Sequence, residues 1–209
     1  MARKSPDRLF FRTAIALSSL LLVGTLALPA FPAGAPGAAP PAPIAPVLTP
    51  QASLDSLFTK LAAAQNPGEA QTITAAIERL WLRSGSDTAD LLMGRALAAM
   101  AGNKHDLALK LLDQIVELEP DWAEGWNKRA TVRFLENDDA GSVADIAHVL
   151  VLEPRHYGAL AGLGLILQRN GQEKRALQVY RRTLEVDPQM GDIRKMIDKM
   201  IPEVEGREL

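Results

Sequence analysis

From residue 51 onward the apolar residues recur every three or four positions and almost never alternate. The stretch "LDSLFTKLAAAQ" puts Leu54, Leu57, Phe58 and Leu61 on one face, and "TITAAIERLWLRSG" does the same with Ile73, Ile77, Leu80 and Trp81. Near the other end, "GDIRKMIDKMI" gathers Ile193, Met196, Ile197, Met200 and Ile201 on a stripe clear of Arg194, Lys195, Asp198 and Lys199. This spacing predicts amphipathic helices and an all-α fold. The stops are periodic as well. "LEP" ends at Pro120, "LEP" again at Pro154 and "VDP" at Pro188, each 34 residues after the last. A fixed period of that size marks a solenoid of stacked units.

Aligned on those prolines, Ala108, Ser142 and Ala176 fall at one position and Leu112, Ile146 and Tyr180 at another. Met93-Gly94, Arg129-Ala130 and Leu163-Gly164 are matched as one pair, which makes the first repeat two residues longer in its internal turn around Gly102 to His105. These residues resemble the tetratricopeptide repeat (TPR) family. Residues 157–190 are the closest match, with Leu160, Leu163, Gly164, Leu167, Gly171, Ala176, Tyr180 and Pro188. The second repeat has Trp126, Ala130, Ser142 and Pro154 but carries Arg129 and Arg133 at two usually apolar places.

The resemblance implies an α-solenoid of antiparallel helix pairs, wound as a right-handed superhelix. Its repeats would be 87–122, 123–156 and 157–190. A degenerate N-terminal helix pair at 51–86, broken at Asn66-Pro67-Gly68, would precede them, and a capping helix with a tail at 191–209 would follow.

The glycine-rich run "GALAGLGLILQRNGQ" is not a dinucleotide loop. Leu167 stands where the third glycine belongs, and Pro154 interrupts any strand before it. Gly164 and Ala176 are expected where two helices cross closely, and Gly171 where the first helix ends in a left-handed turn. Gly158 and Gly162 have no packing duty on this reading.

Composition narrows the chemistry. Aromatic residues are only 5% of the chain, so Ala and Leu must fill the core, as suits close-packed helices. There is no cysteine, hence no disulfide, thiolate or Cys-based zinc site. The formal charge of −2, without a basic cluster in the folded part, argues against nucleic acid as a partner. His105, His148 and His156 share no metal-ligand spacing, and "ENDDAG" lacks the ligands of a calcium loop. No nucleophile elbow, phosphate loop or paired nucleophile and base is present, so neither an enzyme nor a cofactor is expected.

The N-terminus reads as a signal peptide over residues 1–35. Arg3, Lys4, Arg8 and Arg12 precede an uncharged run from Thr13 to Leu28, and Ala33-Gly34-Ala35 supplies small residues for cleavage. That run of 16 residues is short for a membrane helix, so stable insertion of the mature chain is not expected. Loss of the leader leaves 19 basic and 24 acidic residues, a charge of −5. A Pro/Ala-rich linker at 36–50 follows, too poor in large apolar residues to fold. The expected location is periplasmic or exported, with a form anchored by a retained N-terminal helix as the alternative.

The family resemblance implies a protein-binding module whose first helices line a concave groove. The groove residues are then Leu91, Arg95, Glu124, Asn127, Thr131, Phe134, Leu165 and Gln168, with Asn127 and Arg95 offering hydrogen bonds and Phe134 and Leu165 apolar contact. Leu91, Arg95, Gly158 and Gly162 stand at four positions where family members that clamp chaperone C-termini carry Lys, Asn or Arg, and Lys128 replaces an expected Asn. Chaperone-tail binding is therefore excluded on this reading. The expectation is an exported bacterial monomer with a protein or peptide partner. Its rivals are a membrane-anchored structural part of an envelope assembly and a non-catalytic accessory subunit of an enzyme.

Overall fold

The computed structural model describes residues 49–206. The expected leader, the linker up to residue 48 and the last three residues of the tail lie outside the described residues. Among the described residues all regular structure is helical: α1 (Pro50–Ala62), α2 (Pro67–Trp81), α3 (Asp87–Ala101), α4 (His105–Leu118), α5 (Ala123–Leu135), α6 (Asp139–Leu152), α7 (Tyr157–Arg169), α8 (Glu173–Val186) and α9 (Gly191–Val204).

Local chemistry sets the helix ends. Asn66 caps α2 by accepting the Glu69 N–H at 3.0 Å, the Glu69 carboxylate accepts the Gln65 N–H at 2.9 Å, and Pro67 occupies the first helical position. Each internal turn of the three repeats passes through one left-handed residue: Asn103 (φ 52°), Asn137 (φ 63°) and Gly171 (φ 69°). Asn and Gly are the residues that tolerate this conformation.

These three residues are spaced 34 apart, so the turns are of equal length and the first repeat has no insertion there. The two extra residues lie at the start of α3, which has 15 residues against 13 in α5 and α7. This corrects the sequence register at the front of repeat one. The small residue equivalent to Ala130 and Gly164 is the fully buried Ala96, whereas a Cβ on Gly94 would meet nothing within 4 Å.

Helices pair as α3 with α4, α5 with α6 and α7 with α8, and the pairs stack through α4 on α5 and α6 on α7. At the crossing of α7 and α8 a Cβ on Gly164 would stand 2.3 Å from Cε1 of Tyr180, so only glycine fits without displacement. α9 covers α8 with Ile193, Ile197, Met200 and Val204 packed against Leu177 and Tyr180. In repeat two, Arg129 grips Asp145 with two hydrogen bonds of 2.9 and 2.8 Å, and Arg133 approaches the same carboxylate at 3.1 Å. Arg129 also reaches Asp113 on α4 at 2.9 Å. A buried ionic cluster thus fills the space that Leu163, Leu167 and Val179 fill in repeat three.

The helix pair α1–α2 is not placed as a first repeat stacked on α3–α4. It lies along the loops between repeats and shares its core with Tyr157, Val186 and Met190. Trp81, at the end of α2, stacks on His156 with 4.0 Å between ring centres, and its carbonyl accepts the Trp122 indole N–H at 2.6 Å. Tyr157 donates to Glu78 at 3.2 Å, Gln189 to the Ala64 carbonyl at 2.9 Å, and Arg155 to Asp55 at 2.9 Å while lying over the Phe58 ring. The partners come from three successive loops, so the pair braces the stack from the side and leaves the outer face of α3 and α4 open.

Candidate functional site

Between the groove sides of α5 and α7 lies a cleft of about 340 Å³, walled by Asn127, Ala130, Thr131, Phe134, Ile146, Ala161, Leu165 and Ile166. Gly158 and Gly162 line it too, and here their role becomes visible. A Cβ on Gly162 would meet only Cδ1 of Ile146, at an unstrained 3.7 Å. These glycines are not forced by packing. Their missing side chains leave the cleft open.

The cleft's polar groups are largely committed. Thr131 donates its hydroxyl to the Asn127 carbonyl at 2.9 Å, and Ser142 donates to the Ala130 carbonyl at 2.8 Å. Asn127 Nδ2 donates to Glu124 Oε2 at 3.0 Å. A carboxylate can only accept, so this bond fixes which way the Asn127 amide faces and leaves Oδ1 as the acceptor available to a ligand. At the rim, Arg169 lies 4.2 Å over the Phe134 ring and pairs with Asp139.

Glu124 does not stand open in the groove as the sequence suggested. It is 4% exposed, 3.0 Å from His156 Nε2 and 2.7 Å from Lys128 Nζ. His156 Nδ1 accepts the Ala159 N–H at 3.1 Å and so caps α7, which makes Nε2 the nitrogen that donates to Glu124. Burial pushes the Glu124 carboxyl up, but the His156 hydrogen bond and the Lys128 charge outweigh it and hold it below its ordinary value. Glu124 is therefore an ionised internal anchor that ties α5 to α7 beneath Trp81.

Asn127, Thr131, Phe134 and Leu165 meet at the cleft. Gln168 is taken up within the fold, accepting the Tyr180 hydroxyl at 3.1 Å. Leu91 and Arg95 are absent from the cleft, which no residue of α3 lines; in the structural register the α3 residues equivalent to Asn127, Thr131 and Phe134 are Met93, Leu97 and Met100, which pack in the α3–α4 core. Arg95 is equivalent to Arg129, the residue that faces the preceding helix, and it lines a separate pocket with Ala98, Lys104, Leu107 and Leu111 on the open outer face. Sequence reasoning missed the coupling of His156 to Trp81 and Glu124, since a histidine just before a helix and a tryptophan 75 positions earlier share no local pattern.

No protein-family model matches the chain. It is similar to a TPR repeat-containing protein of Rhizobium etli, at 36% identity over 158 residues, covering 76% of this chain and 78% of the relative. Among solved structures it is similar to the Sgt2 TPR domain from Aspergillus fumigatus, with a TM-score of 0.54 and 19% identity over 59% of this chain and 83% of that one. It is also similar to the first TPR of Spaghetti (RPAP3) bound to the HSP90 peptide SRMEEVD, with a TM-score of 0.55 and 18% identity over 57% and 94%. At these identities the solved structures speak for the fold.

Proposed function

The chain belongs to the tetratricopeptide repeat family, and on that premise we propose that it is a protein-binding module of the cell envelope, holding a segment of another polypeptide in the cleft between α5 and α7. The observation that carries this reading is the cleft itself. Two glycines keep it open on the groove side of the first helices, while the opposite sides of those helices are used up in stacking. A pocket with apolar walls and a few fixed polar groups is the usual form of a recognition site. The peptide-bound structure of the first TPR of Spaghetti supports the same use of the same fold. The envelope part of the reading rests on the basic start, the uncharged run from Thr13 to Leu28 and the small residues ending at Ala35.

Capture from an envelope extract tests it. Asn127→Ala combined with Leu165→Ala should weaken retention of co-purifying chains by about 1–3 kcal/mol, the range for truncating central contacts of an interface. Leu118→Ala, at an exposed apolar position on α4 away from the cleft, should leave retention unchanged. Equal recovery with the cleft variant and its parent would refute the site.

A further inference from the structure

We infer that the occupant of this cleft is an uncharged internal stretch of polypeptide that enters with one bulky apolar side chain, and that a terminal carboxylate is turned away. The inference rests on the binding reading above and narrows it. A cleft of about 340 Å³ is at the small end of ligand sites, matched to a side chain with its adjoining backbone and too small for a folded element. Its walls are apolar, and none of the described residues lining it is ionisable.

A carboxylate seated there would lose its water without gaining a counter-charge, which is costly in any apolar site. Lys128, next to Asn127 in the chain, is engaged with Glu124 at 2.7 Å, and Arg169, over the Phe134 ring, with Asp139. Arg95, which the sequence reading placed in the groove as a hydrogen-bond donor, lines a different pocket. Beneath Asn127 the Glu124 carboxylate, paired with Lys128, holds the amide so that Oδ1 is the atom offered. An acceptor complements a backbone N–H, and it opposes a carboxylate, which has only acceptors.

The two chemistries can be separated with small probes on the isotope-labelled full chain. N-acetyltryptophan amide presents an apolar side chain between two neutral amides, and N-acetyltryptophan presents the same side chain next to a carboxylate. The amide should shift the backbone resonances of Gly158 and Gly162 and bind at least about tenfold more tightly than the acid. Gly162→Leu should fill the cleft and abolish the amide's effect. Thr131→Lys, at an exposed position on the cleft wall, should raise the affinity of the acid towards that of the amide, which a purely structural role for Thr131 would not do. If the acid bound as well as the amide while shifting the same glycines, this inference would fall and the cleft would remain a binding site. If neither probe moved those resonances in the parent protein, both the inference and the assignment of the cleft would be overturned.

Discussion

Two alanine substitutions on one helix, two residues apart, should have opposite signs. At Gly164 a Cβ would lie 2.3, 2.6 and 2.9 Å from three carbons of the Tyr180 ring. That ring cannot swing aside, because it is fully buried and its hydroxyl is bonded to Gln168 at 3.1 Å. Overpacking of this kind costs about 1–3 kcal/mol, and the short approach points to the upper end. Replacing glycine inside a helix returns about 1 kcal/mol, so Gly164→Ala should destabilise by about 2 kcal/mol. At Gly162 the new methyl meets one side-chain carbon at an ordinary 3.7 Å, leaving only the helix term. Gly162→Ala should therefore stabilise by about 1 kcal/mol. For a domain of this size each kcal/mol moves the Tm by about 2–4 °C. Thermal unfolding followed by circular dichroism on the full chain should place the two variants on either side of the parent, roughly 6–12 °C apart. A shift of both in the same direction would refute the assignment of Gly164 to the crossing and of Gly162 to the cleft.

Two further substitutions probe the features that set this chain apart from a plain stack of repeats. Trp81→Ala removes the ring that stacks on His156 and should cost about 3–5 kcal/mol, with amide-exchange protection lost first in α1 and α2; protection that stays even from α1 to α9 would argue against the lateral brace. Asp145→Val alone removes the buried partner of both Arg129 and Arg133, leaving Arg129 only the exposed Asp113 and Arg133 only the Gly141 carbonyl and the more distant Asp138, and should destabilise by about 3 kcal/mol, whereas Asp145→Val with Arg129→Leu and Arg133→Leu copies the apolar set of repeat three and should restore the Tm to the parental value or above; a triple variant as unstable as the single would show that the ion cluster has no apolar substitute.

Much of the fold was legible because period, punctuation and apolar faces agree. Every helix from α1 to α9 carries an apolar stripe or a cap that the sequence displays, and the prolines at 120, 154 and 188 mark the ends of the repeats. The placement of α1–α2 was not legible. Its apolar faces are those of any helix pair, and what fixes its position is a set of single contacts with residues 41 to 125 positions away, such as Trp122 with Trp81 and Gln189 with Ala64. Helical periodicity reports which face is buried and does not report against what.

The misplacement of Leu91 and Arg95 has a narrower cause, and it shows which signal should have had priority. Matching Met93-Gly94 to Leu163-Gly164 followed residue type, but a glycine on an exposed helix face is unconstrained, as the empty space around Gly94 shows. The turns are the stricter ruler, since a left-handed residue is needed once per repeat and only a few residue types tolerate it. Asn103, Asn137 and Gly171 keep the 34-residue period without any insertion, and they place Ala96, Ala130 and Gly164 in one row. With that register the charged residues of the two first helices make sense together. Arg95 and Arg129 hold the same position in their repeats; Arg129 meets Asp113 of the preceding helix, while Arg95 meets an open face, because the helix pair that would have covered it is docked along the loops instead.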